Sequence, residues 1–217
     1  MKATETEIKL TVPDRTVFEE ILSLDSIAGL RLEDRGLQPH RDIYFDTADL
    51  LLYRSKVVFR IREKNGRQVL TFKAQAPSDG AAYRRIEIEE TITIDLERGT
   101  FPASKPLDAL LEHCGAVTLA PCLTVDNNRH VLMLSDGNTE RYELVLDDVT
   151  FHGRVGDGAM LELEVEMRGG NEDELHRIGL WLEERFRLNH AGPSKYISGM
   201  DLAGIARNGG TGGQQKP

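Results

Sequence analysis

The chain has 217 residues, 40% hydrophobic and 29% charged, which suits one sizeable globular domain with a real core. Its formal net charge of −9 disfavours non-specific binding to nucleic acid or to an anionic membrane, although a local cluster of Arg and Lys can still take an anion. Cys114 and Cys122 form no CxxC pair, no apolar run approaches the roughly 20 residues of a membrane span, and no hydrophobic segment follows Met1–Glu5. The expectation is a cytoplasmic protein without disulfide framework, structural zinc or signal peptide.

Thr4–Leu10 alternates as T-E-T-E-I-K-L and predicts a strand. Asp14 is placed to cap a helix running to Leu24, with Val17, Phe18, Ile21 and Leu22 at helical spacing. Strands follow at Asp42–Thr47, Val57–Arg62 and Val69–Lys73, and Asn65-Gly66 predicts a tight hairpin between the last two. Arg85–Glu89 is a further strand, continued by Thr91–Ile94. Ser104 is placed to cap a short helix over Leu107–His113, with Pro106 near its start. Leu123–Arg129, Tyr142–Asp147 and Leu161–Met167 alternate again, and Asp136-Gly137-Asn138 predicts a second hairpin. Asn171–Arg187 is the longest predicted helix, with Leu175, Ile178, Leu182 and Phe186 in one stripe and Trp181 beside it as core. The last ten residues carry no pattern, so residues 1–206 are expected to form one domain and 207–217 a flexible Gly-rich tail or linker. The fold class is α+β, mainly β, with antiparallel strands.

The polar faces of these strands are unusually rich in full charges. Glu5, Glu7 and Lys9 share one face, as do Glu162, Glu164 and Glu166. Carboxylates at i and i+2 repel unless a cation lies between them. Arg60, Arg62, Lys73, Arg85 and Arg129 gather positive charge on other strands, while Ile8, Leu10, Phe59, Ile61, Leu163 and Val165 occupy the opposite faces. A barrel closed with its charged faces inward and its apolar faces under the helices accommodates both sets. Its interior is expected to hold a carboxylate zone suited to a hard cation such as Mg²⁺ and a separate guanidinium and ammonium zone suited to phosphate. A metal-bound polyphosphate matches both. The six histidines are scattered without forming a cluster, and Gly153–Gly158 lacks the Lys-Ser/Thr pair of a phosphate loop.

Glu5-Thr6-Glu7-Ile8-Lys9 resembles the E-x-E-x-K signature of the CYTH domain superfamily, the triphosphate tunnel metalloenzymes. The likeness continues through Tyr44-Phe45-Asp46-Thr47, Arg60-Ile61-Arg62, Thr71-Phe72-Lys73, Arg85–Glu89, Arg129, Glu143–Asp147, Glu162–Glu166 and Ser194-Lys195-Tyr196. The resemblance implies a closed eight-stranded antiparallel tunnel that hydrolyses inorganic or thiamine triphosphate, or cyclises ATP, with Mg²⁺ or Mn²⁺. It implies Glu5, Glu7, Glu162 and Glu164 as metal ligands, with Glu166 continuing that face. Lys9, Arg60, Arg62, Lys73, Arg129 and Lys195 match the residues that grip the phosphate chain, and Arg85 is expected to join them. Asp147, Glu87 and Glu89 match acidic positions that orient the basic groups or support a metal-bound water; Lys9, Glu87 and Asp147 are thus the candidate catalytic residues. The expected partner is a small-molecule triphosphate or polyphosphate, hydrolysed by a triphosphatase. A class IV type adenylate cyclase and a non-catalytic polyphosphate- or nucleotide-binding module stay open. The likeness is nearest to bacterial inorganic triphosphatase-like members in which the domain precedes a histidine-rich helical (CHAD) domain. A CHAD-like partner domain and a homodimer stay open too.

Overall fold

The alternating segments become strands, and most of the strand ends lie further out than period two alone predicts. The computed structural model describes residues 6–76, 84–95, 100–192 and 194–208, without the side chains of 75, 76, 84, 85, 207 and 208. In chain order the elements are β1 (Glu7–Val12), α1 (Arg15–Leu22), β2 (Ser26–Ile27), β3 (Leu30–Leu37), β4 (His40–Asp46), α2 (Leu51–Arg54), β5 (Val58–Lys64), β6 (Arg67–Ala76) and β7 (Arg84–Ile92). Then come α3 (Lys105–Cys114), β8 (Ala120–Ser135), β9 (Glu140–Gly153), β10 (Asp157–Met167), α4 (Glu172–Phe186), β11 (Asn189–His190), α5 (Lys195–Leu202) and α6 (Ile205–Asn208).

The sheet runs β11-β1-β10-β9-β8-β4-β5-β6-β7, with β3 branching onto β8 and β2 onto β3. Without the two-residue β11 the path holds eight strands, all neighbours antiparallel. Among the described residues no backbone ladder joins β7 to β1, yet both edge strands line the same central cavity, so the sheet curls around it as the mainly-β tunnel expectation requires.

Helices cover the outer, apolar face. Leu163 and Val165 of β10 pack with Leu175, Ile178 and Leu182 of α4 and with Ile21 of α1. Phe59, Ile61, Leu70 and Phe72 pack with Leu110 of α3 and Leu52 of α2. α5 differs: Tyr44, Leu123, Val149 and Phe151, on the same inward strand faces as Asp42, Asn127 and Asp147, pack with its Tyr196 and Met200, so this helix lies inside the curled sheet at one end of the cavity. Asp14 caps α1 by accepting from the Thr16 amide at 2.8 Å, and Asn171 caps α4 by accepting from the Glu174 amide at 2.9 Å. Ser104 stands at the N-cap of α3, but its hydroxyl donates to the Pro102 carbonyl, and Glu90 takes the Lys105 amide instead. That helix therefore begins two residues before the predicted Leu107. Asn65 and Gly66 both have positive φ, 52° and 71°, the conformation of a two-residue hairpin whose twist matches its strands.

Six elements, β2, β3, α2, β11, α5 and α6, have no counterpart in the sequence reading. β3 carries a bulge between Asp34 and Gly36, where the Asp34 carboxylate accepts the Gly36 amide at 2.6 Å, so its alternation breaks midway. β2, α2 and β11 are each four residues or shorter and too brief to show a period. β8 runs six residues past Arg129 through Val131-Leu132-Met133-Leu134, all buried, so a strand covered on both faces shows no period of two there. α5 was also unanticipated, because Gly199 sits in its middle. A Cβ at Gly199 would lie 2.5 Å from Phe151 and 2.7 Å from Leu123, which lets α5 lie directly on the sheet. Gly199→Ala is expected to cost about 1–3 kcal/mol by overpacking and to lift the helix that carries Lys195. A thermal melt checks the first effect, and unchanged stability would sink the close-approach argument.

Candidate functional site

The cross-strand register explains why E-x-E spacing builds a site. Glu7 lies opposite Glu166, which lies opposite Glu143, so three glutamates stand abreast on β1, β10 and β9. Lys9 lies opposite Glu164, one step deeper. Glu162 lies opposite Asp147, which lies opposite Arg129, one step deeper again. The period of two aims each of these inward.

The cavity they enclose measures about 260 Å³. Its wall takes Lys9, Arg60, Arg62, Lys73, Arg129 and Lys195 from five elements, together with Glu7, Glu87, Glu89, Glu164 and Glu166. The topology thus brings together all of the predicted phosphate-gripping residues whose side chains are described. Asp147 and Glu162 lie just behind the wall, 0% and 1% exposed. Glu5 lies outside the described residues. Arg85 is on β7 two residues before Glu87, with its side chain outside the description.

Acidic and basic groups are interleaved, which corrects the expectation of two separate zones. Opposite charges this far from bulk water are stable only in contact. The Lys195 ammonium donates to Glu162 Oε2, to Glu164 Oε1 at 2.6 Å and stands 2.9 Å from Asp147 Oδ2. Lys9 donates to Glu164 Oε1 at 2.7 Å and lies 3.3 Å from Glu7. Arg129 forks onto Asp147 with two bonds of 2.7 Å and reaches Glu164 Oε2 at 3.2 Å. Burial opposes the charge on Glu164, but Lys195, Lys9 and Arg129 outweigh it and hold its carboxyl below the usual range. Burial pushes the Glu162 carboxyl up, against the pull of Lys195. Burial also opposes the Lys195 and Lys9 charges, and the surrounding carboxylates lift both ammonium groups above their ordinary values.

On the other side of the cavity Asp42, 1% exposed, carries two arginines. Arg62 forks onto it at 2.7 and 2.8 Å, and Arg60 donates to Oδ2 at 2.9 Å. Burial opposes the Asp42 charge, yet the two guanidinium groups hold its pKa far below the usual range. Lys73 pairs with Glu87 at 2.6 Å, and Thr71 donates to Glu89 at 2.9 Å. At the rim the Arg168 guanidinium bridges Glu143 at 3.0 Å and Glu166 at 2.9 Å. Asp42, Glu143, Arg168, Tyr44, Ser194 and Tyr196 are site residues the sequence reading did not assign. A buried Arg60 and a half-buried Arg62 require a counter-ion nearby, and Asp42 on the preceding strand has the right parity, so that signal was present. The Tyr44 ring stacks on Tyr196 at 5.0 Å, and both also border the cavity.

Asp147, Glu162 and Glu164 each offer an oxygen within 4.8 Å of the others, a hard, oxygen-only donor set suited to a divalent cation. Glu162 Oε1 is buried there without a hydrogen-bond partner.

The CYTH domain family matches residues 3–195. The chain belongs to the CYTH domain family. This CYTH chain is similar in structure to a candidate adenylate cyclase from Bacillus halodurans, at 21% identity, covering 91% of this chain and 97% of that one with a TM-score of 0.66. It is similar to a candidate adenylyl cyclase from Hippeastrum described as revealing a dominant triphosphatase activity, at 20% identity, 91% and 96% coverage and a TM-score of 0.63. The protein PH1819 from Pyrococcus horikoshii matches at 20% identity, 93% and 99% coverage and a TM-score of 0.51. At these identities the likeness concerns the fold. No curated protein sequence matches the chain significantly. Among the described residues no helix is long and apolar enough to cross a membrane.

Proposed function

We propose that this CYTH domain hydrolyses a triphosphate, with inorganic triphosphate as the substrate and Mg²⁺ or Mn²⁺ as the metal. The observation that carries the reading is the small cavity walled by Lys9, Arg60, Arg62, Lys73, Arg129 and Lys195, drawn from five elements. Its volume of about 260 Å³ falls below the roughly 300–1,000 Å³ of sites that take drug-sized ligands, so a compact, highly charged anion suits it better than a nucleotide. Among the described wall residues the aromatic rings, Tyr44 and Tyr196, are 2% and 3% exposed and stacked on each other, which leaves no open face for a base.

Arg60, Arg62 and Lys73 would hold one end of the phosphate chain and Lys9, Arg129 and Lys195 the other. Asp42, Asp147 and Glu87 hold these cations in place; of the two roles open to Asp147 and Glu87, their short ion pairs favour orientation over water activation. Glu162 and Glu164 would hold the metal together with Asp147, whose oxygens converge with theirs, supported by the unpartnered Glu162 Oε1; Glu5, Glu7 and Glu166 are the further ligands that the family resemblance implies. When bound, a divalent cation supplies charge neutralisation on the phosphoryl oxygens. Lys9, at the edge of the cluster, anchors a phosphate or exchanges a proton with it.

The test incubates the protein with tripolyphosphate, thiamine triphosphate or ATP and either metal, and assays phosphate and cyclic AMP. Phosphate release fastest from tripolyphosphate is expected. Cyclic AMP without phosphate release would replace hydrolysis by cyclisation, and no product from any of the three would leave a binding module.

A further inference from the structure

The deepest part of the cavity is already neutral without a ligand. Asp147, Glu162 and Glu164 are matched by Lys9, Arg129 and Lys195, all in direct contact. Lys195 is the centre of this group, because one ammonium touches all three carboxylates. Those same three carboxylates are the set whose oxygens converge closely enough for a cation. The ammonium therefore stands where a divalent ion would stand. Glu164 Oε1 accepts from both lysines, so neither can leave without changing the charge on the other's partner.

We propose that Lys195 and Lys9 hold the cation's place on Asp147, Glu162 and Glu164, and that a triphosphate draws both ammonium groups onto its own oxygens, so that cation and triphosphate each raise the other's affinity. The proposal rests on the triphosphate reading and adds how the site fills. A divalent ion entering alone meets two ammonium groups on its own ligands. A polyanion entering alone meets lysines already neutralised by carboxylate. Together, the lysines exchange carboxylate for phosphate and the ion takes the vacated oxygens, which leaves no charge unpaired. Both lysines border the cavity, and each has a flexible four-carbon stem, so the exchange needs rotamer changes only. Arg129 stays behind, because its fork on Asp147 fixes it. By linkage the two effects are equal in size.

The experiment measures Mn²⁺ binding to the full chain by calorimetry and by electron paramagnetic resonance, with and without di-imidotriphosphate, a non-hydrolysable triphosphate. Free concentrations are corrected for the complex the two form in solution. Mn²⁺ alone is expected to bind weakly, and the analogue is expected to tighten it by on the order of ten- to a hundredfold, within the usual range of such couplings. Lys195→Gln is expected to tighten Mn²⁺ binding at least tenfold without the analogue and to shrink the coupling. Analogue binding with no coupling in the wild type overturns the proposal alone. Equal Mn²⁺ affinity in the wild type and a folded Lys195→Gln variant overturns it as well. No analogue binding at any Mn²⁺ concentration overturns the triphosphate reading together with it.

Discussion

Glu164→Gln is expected to lower kcat for tripolyphosphate by at least about a hundredfold, the scale seen when one preorganised electrostatic group is removed from a site. Glu164 is the carboxylate on which the site converges, since Lys9, Lys195 and Arg129 all donate to it. Glutamine keeps the shape and the acceptor oxygen but removes the charge, so three cations face two carboxylates. Removing one partner of a buried ion pair costs about 3–5 kcal/mol, and the retained acceptor places this change at or below the lower end. The variant should therefore fold with a lowered melting temperature and a weakened Mn²⁺ site. Glu89→Gln is the contrast. Glu89 is exposed and, among the described residues, is hydrogen-bonded only by the Thr71 hydroxyl, so its kcat should stay within a few-fold of wild type. Steady-state kinetics alongside circular dichroism checks both. A folded Glu164→Gln protein with wild-type turnover would remove Glu164 from the metal and phosphate machinery.

How far the sequence foretold this site depends on which physical signal each residue leaves. Alternation marks a residue whose neighbours on both sides face the core, and it located the inward faces of β1, β5, β6 and β10 with their Glu, Lys and Arg. It says nothing about depth along the strand. Glu162 and Glu164 read alike in sequence, yet register puts Glu162 behind the wall beside Asp147 and Glu164 in the cavity. Nor does it reveal pairing. Lys195 reads as one more phosphate-gripping base, and only the meeting of α5 with β9 and β10 shows its ammonium on three carboxylates. Asp42 falls in a segment whose aromatic residues dominate the pattern, Asp42-Ile43-Tyr44-Phe45, and its importance comes from Arg60 and Arg62 on the neighbouring strand. Where both faces are buried, as at Val131–Leu134, or where a bulge interrupts the pleat, as at Asp34–Gly36, the period vanishes while the strand persists.

Asp42→Ala should be among the most damaging single changes, with a loss of about 3–5 kcal/mol and a KM for tripolyphosphate raised well beyond tenfold. Alanine leaves Arg60 buried without its carboxylate and frees the Arg62 fork that Asp42 orients. The same carboxylate ties the arginines to the rest of the floor, because His40 Nε2 lies 4.0 Å from Asp42 and 3.5 Å from Asn127, whose amide donates to Asp147 at 2.9 Å. His40 gives this floor an acid limit. Burial, reinforced by Arg62, pushes its imidazole down to about 4, so the folded protein keeps it neutral while the unfolded chain protonates near the ordinary value. Between roughly pH 6.5 and 4 the unfolded state binds the extra proton, and stability falls as pH falls, by roughly 3 kcal/mol over the whole window. The depressed Asp42 carboxyl acts in the same direction at lower pH, its contribution being present above the ordinary Asp value and lost as pH drops through the folded one. Urea unfolding at a series of pH values should show this decline in the wild type. His40→Gln should flatten the part between pH 6.5 and 4 and leave the steeper loss below it, which belongs to Asp42 and the other paired carboxylates. A wild-type midpoint that stays level from pH 7 to pH 4 would mean that His40 titrates freely in the folded protein and that the polar floor beneath the arginines is open to water.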